Sequence, residues 1–285
     1  QIPQNALWLV QTDYNFAEAG KGIYSAIPKA NNKTPWRVRA EGQNFFGQIQ
    51  LKGGKTNTKK WPAAKKTDPS SVTVPADYPQ NDLYREVVAQ HYDTIRSDDA
   101  VIGGILDRLE ADGLMDSTIV IYFSDHGANN LVRHKQMPTE GGLHVPFIIQ
   151  GPKKWVPNPG IVRKDLINTL DLTATSFAWA GIPIPAWCEG QDLFAKNFKA
   201  RTFVAGAKDR LDHTIDRVRT IRTDRFRYTR NFFLDRVFLQ PQYRDPRPFL
   251  VNITEAYANG TLAPKLAEIY YAERPAEELY DVVKD

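Results

Sequence analysis

One stretch limits the fold more than any other. From Asp82 to Ala111, the residues Val87, Val88, His91, Tyr92, Ile95, Val101, Ile102, Ile105, Leu106 and Leu109 recur at three- and four-residue intervals. That spacing gives a helix one apolar stripe, and Gly113 stops it. The run Ser117-Thr-Ile-Val-Ile-Tyr-Phe-Ser124 follows, and a continuous apolar run of this length is typical of a strand buried on both faces of a parallel sheet. Helix, short turn and buried strand form half of a βαβ unit. The expected fold class is α/β, with a mostly parallel sheet flanked by helices.

The rest of the chain fits around this unit. Residues 1–40 are polar and irregular and read as loops wrapping a larger body. Residues 44–51 alternate like a strand and end at Gly53-Gly54. Residues 56–80 form a long loop, 145–150 a strand and 165–181 a helix. Beyond residue 200, the segments 201–206, 218–222 and 226–230 read as short antiparallel strands. The expected division is 1–200 for the α/β portion and 201–285 for a small α+β subdomain, consistent with a chain of 285 residues.

Composition removes several function classes. The longest uncharged apolar run, residues 119–123, is far short of the roughly 20 residues a bilayer crossing needs. No signal peptide is visible at Gln1. The single cysteine, Cys188, excludes an internal disulfide framework and a thiolate metal cluster; its Pro-Ala-Trp-Cys-Glu-Gly setting suits an inert surface thiol. The net charge of +4 comes without a basic, aromatic-studded face or a known module, so no nucleic-acid partner is expected. Attraction of a sulfated or phosphorylated substrate is the better use of such a charge.

Chemistry concentrates after the apolar strand. Ser124-Asp125-His126-Gly127 stands where ligands bind in open α/β sheets, beyond the carboxyl end of a strand. Asp125 and His126 can share one ion or one substrate; alternatively, Asp125 caps the next turn and His126 is a bystander. Arg133-His134-Lys135 and the Glu140-Gly141-Gly142-Leu143-His144-Val145-Pro146 return deliver a basic cluster and a Gly-rich turn to the same edge, as an anion site requires. The plainer reading of Arg133-His134-Lys135 is a solvated loop.

These blocks carry a resemblance. Tyr92-Asp93 and Asp98-Asp99 on the helix, then residues 114–127, His134-Lys135 and Gly-Gly-Leu-His-Val-Pro146 resemble the second half of a sulfatase of the alkaline-phosphatase-like superfamily. Residues 165–175, the Ala180-Gly-Ile-Pro-Ile-Pro185 stretch and Gly190 are similar to the family's segment after the sheet. Residues 209–219 and 224–228 resemble a C-terminal subdomain of bacterial members close to heparan N-sulfatases, and Glu277-Glu-Leu-Tyr-Asp281 resembles the family's closing motif.

The resemblance implies a metal-dependent sulfuric ester hydrolase acting on sulfated carbohydrates, exported to a periplasmic, extracellular or lysosomal-type compartment. Asp125 and His126 would be ligands of one calcium ion, only partly liganded by this chain. Lys135 would clamp sulfate, Lys55 would be a second clamp or a proton donor, and Arg133, His134, Arg210, Asp212 and His213 would contact substrate. Two departures stand out. The family's formylglycine nucleophile arises in Cys-x-Pro-x-Arg or Ser-x-Pro-x-Arg, and neither occurs here; the Asp-Asp pair that completes the metal site is also missing. Lys55 falls where a His is usual, and it reads equally as a plain loop lysine. The N-terminal half of the sheet is therefore expected from a preceding segment or a partner chain. Two rivals remain: a phosphodiesterase or phosphonate-ester hydrolase of the same superfamily, and a non-catalytic glycan-binding remnant using Arg210, His213, Arg217 and Arg219.

Overall fold

A computed structural model describes residues 6–11, 34–212 and 214–284, with side chains omitted at 6–11 and at Leu211. Strand β1 (Ala6–Gln11) pairs in parallel with β2 (Asn44–Ile49). Residues 6–11 therefore depart from the irregular N-terminus expected: Ala-Leu-Trp-Leu-Val-Gln is an apolar run that finds a strand partner. Between them, Trp36 is buried and donates its indole N–H to Asp112 at 2.7 Å. It packs with Leu109, Phe45, Ile105 and Val120, which fastens β2 to the C-terminal end of the long helix.

Helix α1 (Asp82–Ala111) has the predicted bounds. Asn81 caps it by accepting from the Tyr84 N–H at 3.0 Å. Gly113 turns out of it at φ +66°, a left-handed angle that suits glycine. Strand β3 (Val120–Phe123) follows, then a four-residue helix α2 (Glu140–Leu143) and β4 (Phe147–Gln150).

Here the sheet departs from the sequence reading. β3 and β4 run antiparallel, and among the described residues the pair is not covered on both faces, with Phe123 of β3 41% and Ile148 of β4 60% exposed. Each has a single strand partner among the described residues. An apolar run signals that a strand can be buried, but carries no direction of pairing.

Helix α3 (Thr169–Trp179) starts in a capping box formed by Asn168 and Asp171. Asp171 is fully buried and takes both arms of Arg201 at 2.6 Å. Strands β5 (Val204–Leu211), β6 (Thr214–Arg222), β7 (Phe226–Asn231) and β8 (Glu277–Asp281) form one antiparallel sheet in chain order. Between β7 and β8 lie two helices the sequence reading did not anticipate, α4 (Pro248–Ala258) and α5 (Pro264–Tyr271). Both open on a proline, a residue suited to a first helical turn.

The largest core cluster joins distant parts of the chain. Tyr84, Val87 and Val88 of α1 pack with Phe249, Leu250 and Ile253 of α4 and with Leu266 and Tyr270 of α5. Leu131 and Val132, from the loop after β3, are plugged into the same cluster. The chemistry-bearing loop is thus pinned at its middle by burial.

Candidate active site

The loop leaving β3 begins with local bonds. Ser124 Oγ donates to the His126 carbonyl at 2.7 Å. His126 Nδ1 lies 2.8 Å from the Gly127 carbonyl oxygen. A carbonyl only accepts, so Nδ1 is the donor, and the tautomer with its single proton there has its lone pair at Nε2. That lone pair stands 3.6 Å from Asp125 Oδ2, whose side chain is 79% exposed; this is too long for a hydrogen bond. Two ligands at calcium's roughly 2.3–2.6 Å, subtending about a right angle, would stand about 3.5 Å apart. The pair therefore fits one edge of a cation's shell. Among the described residues no third His, Cys, Asp or Glu completes it.

Glycines bring the two ends of the loop together. The Gly127 N–H donates to the Gly142 carbonyl at 3.2 Å, and a Cβ on Gly127 would fall 1.8 Å from the Gly141 carbonyl oxygen. Only hydrogen fits there. His134 lies against this joint, its Cβ 3.3 Å from the same position. Burial lowers the His134 pKa, with Asp77 opposing and His91 and Arg133 adding to the effect.

The structure sorts the expected substrate residues by what they already hold. Arg133 Nη1 pairs with Asp77 at 2.9 Å, and its backbone N–H donates to the Tyr78 hydroxyl at 3.0 Å. Asp212 accepts from Gln136 Nε2 at 2.8 Å and from the Tyr243 N–H at 3.2 Å. Both residues thus tie loops together. Arg210 sits at the register shift of β5 opposite Ile215, and His213 lies outside the described residues. Lys135 places its ammonium 5.5 Å from the Tyr243 ring centroid.

Lys55 ends a short 3-10 turn, Gly53–Lys55. The Gly53 N–H donates to Asp98 of α1 at 3.3 Å, and Gly54 abuts Asn129. The Lys55 turn, α1 and the loop that carries Asp125 thus meet around a cavity of about 10 Å³ lined by Gly54, Gln90, His91, Thr94, Asn129 and Asn130. That is room for one water. The sequence reading missed the segment 242–244, in which Tyr243 faces the Lys135 ammonium and Arg244 donates to the Lys135 carbonyl; its only signal was a polar, proline-bounded loop with an arginine.

The sulfatase family profile matches residues 37–182, which is half of the chain. The chain belongs to the sulfatase family. Over 215 residues it is 30% identical to an ulvan-active sulfatase of Formosa agariphila, covering 74% of this chain and 35% of that protein. Over 123 residues it is 30% identical to human N-sulphoglucosamine sulphohydrolase, covering 42% of this chain and 24% of that one. Among solved structures, one from work on metabolism of multiple glycosaminoglycans by Bacteroides thetaiotaomicron superposes with a TM-score of 0.59 at 19% identity, covering 70% of this chain and 47% of that one. A 2-O GAG sulfatase gives 0.52 at 19% identity, covering 85% and 53%. These likenesses show the fold, α/β of the alkaline-phosphatase-like kind. This sulfatase chain spans about a third of its first curated relative and about half of the matched structures. Sulfatases are hydrolases of sulfuric esters and generally depend on a metal ion.

Proposed function

We propose that this chain supplies one side of the active site of a sulfatase acting on sulfated carbohydrates. The observation that carries it is the joint of Gly127 with Gly141 and Gly142, which brings the Asp125–His126 pair and the His134–Lys135 segment into one loop system. The names of the ulvan-active and N-sulphoglucosamine relatives support a polysaccharide-derived substrate. They do not favour the phosphodiesterase rival.

In this reading Asp125 and His126 hold part of a calcium shell, with the remaining oxygen ligands and the formylglycine nucleophile on an N-terminal segment or partner chain. A calcium ion held there would supply Lewis-acid charge for the sulfuryl oxygens, with Asp125 and His126 as this chain's share of its ligands. Sulfate-ester cleavage spreads negative charge over those oxygens and onto the leaving oxygen, as phosphoryl transfer does, so fixed cations supply much of the barrier reduction. Lys135 binds a sulfate oxygen. Lys55, on the turn beside Asn129, binds a second or donates a proton to the leaving group. Residues 1–200 then form the C-terminal portion of the catalytic domain and 201–285 its subdomain. No described helix is long and apolar enough to cross a membrane, and an exported location suits a polysaccharide substrate.

The test is sulfate release from sulfated oligosaccharides by a polypeptide containing this chain together with the nucleophile-bearing segment. Asp125→Ala should abolish calcium-stimulated turnover, and Lys135→Ala should lower kcat/KM by about 100-fold or more, the scale of one lost charge-stabilising contact. Wild-type turnover in both variants would refute the assignment.

A further inference from the structure

Behind Lys135 lies a buried cation that the reading above does not use. Arg244 is only 1% exposed. Its Nε donates to Gln242 Oε1 at 2.8 Å, Nη1 to the Asn129 carbonyl at 2.9 Å and Nη2 to the Lys135 carbonyl at 3.3 Å. All three acceptors are neutral, and no described carboxylate forms an ion pair with it. Burial pulls its pKa down, with Tyr243 and Asp212 opposing. A charge taken out of water without an ion partner is costly, and an apolar side chain would fill the same volume more cheaply. The guanidinium is therefore explained by what its planar fork holds.

It holds the two ends of one loop. Asn129 follows closely on His126, and Lys135 is the lysine at issue. A single rigid group bonded to both carbonyls fixes the separation of these ends. The side chains nearby act in the same sense, since the Tyr243 ring lies under the Lys135 ammonium and Asp212 ties Tyr243 to Gln136.

We propose that Arg244 is a positioning residue: it clamps the carbonyls of Asn129 and Lys135 so that the lysine stands at a fixed spacing from the Asp125–His126 pair. The inference rests on the reading of Lys135 as a sulfate clamp. Lysine at 244 keeps the charge but donates from one point, and methionine keeps bulk without donors, so neither spans both carbonyls.

The experiment uses the 285-residue chain and inorganic sulfate, followed by calorimetric titration, with amide hydrogen exchange read across residues 129–137. Sulfate should bind the wild type and be lost in Lys135→Ala. Arg244→Lys and Arg244→Met should weaken sulfate by about 10-fold or more, the scale on which supporting groups act, and speed exchange in the loop while cooperative melting is retained. Should Arg244→Met fail to fold, Arg244→Lys decides. Wild-type affinity and unchanged exchange in Arg244→Lys, with Lys135→Ala still defective, overturn the positioning role alone. If the wild type does not bind sulfate, or Lys135→Ala binds as well as wild type, the anion role of Lys135 falls, and Arg244's with it; accelerated exchange in Arg244→Lys would then mark a purely structural clamp.

Discussion

The Lys208 ammonium stands 2.8 Å from Asp216 Oδ2, inside the C-terminal sheet with almost no solvent on either side chain. Arg274 Nη1 reaches the same carboxylate at 3.0 Å, and Gln240 Nε2 donates to it at 3.1 Å. Burial by itself would raise the Asp216 pKa, but Lys208 and Arg274 outweigh it and hold the carboxyl down at about 2. Asp216→Asn leaves two cations facing a neutral amide, and should cost about 3–5 kcal/mol in urea unfolding at pH 7. A depressed carboxylate contributes stability that is whole above the unfolded value of about 3.9 and fades as pH falls toward 2. The gap between wild type and Asp216→Asn should accordingly narrow below pH 4. A gap that stays constant from pH 7 to pH 3 would show that the ionised carboxylate is not the source.

The buried imidazoles give stability a slope in a different range. His134 and His91 both have pKa values lowered by burial, so the unfolded chain binds more protons than the folded one as pH drops. Stability is then full above the unfolded His value of about 6.5 and declines as acid approaches the folded value. Unfolding free energies at pH 7.5 and 5.5 should differ in that sense. His134→Gln should reduce the difference; an equal slope in the variant would assign it elsewhere.

Two glycine-to-alanine changes should act in opposite directions. On Gly127 a methyl meets a carbonyl oxygen at 1.8 Å, and forcing the backbones apart should cost about 1–3 kcal/mol. On Gly103, in mid-helix, a methyl meets nothing within 4 Å, and should add roughly 0.5–1 kcal/mol by restricting the unfolded chain. Thermal melting of both variants checks the pair. A neutral Gly127→Ala would mean the joint between Gly127 and Gly142 can open without loss.

The chain by itself should show no appreciable aryl-sulfatase turnover, because loss of a nucleophile commonly costs several orders of magnitude. Saturable, calcium-dependent release from a chromogenic aryl sulfate would contradict this and require a nucleophile other than formylglycine.

Exposed apolar side chains should make the same chain associate. Tyr92, Ile95 and Val101 stand out from α1, and Phe123 and Ile148 from β3 and β4; such surface and unpaired strand edges favour association. Sedimentation velocity should show concentration-dependent species, reduced by Ile148→Lys. A monodisperse monomer at all concentrations would count against an uncovered face.

The sequence was most readable where structure is local. The bounds of α1 follow from apolar spacing, the Asn81 cap and Gly113, all within a few residues of one another. The Asp125–His126 turn was likewise visible because it directly follows an apolar strand. What escaped depends on distant partners. Nothing near Arg133 in sequence announces that Asp77 pairs with it, and nothing near Asp212 announces that Gln136 and Tyr243 donate to its two oxygens. The direction of β4 against β3 is also non-local, and α4 and α5, at 11 and 8 residues, are short helices held by packing against α1.

The seating of Leu131 and Val132 against Phe249, Leu250 and Tyr270 has a consequence for biosynthesis. On a ribosome, the Asp125–Lys135 loop emerges long before the helices that complete its seat. Contacts this far apart in sequence form late, after a large loop-closure cost. Until α4 and α5 are released, the loop has only part of its apolar floor, and a nascent chain stalled or clipped before α4 would expose Leu131 and Val132 together with Tyr84, Val87 and Val88 of α1. The shape of the candidate site is thus set by polypeptide made well after it, and a premature stop between residue 200 and α4 should be read as a lesion of that site even though Asp125, His126, Lys55 and Lys135 are already present.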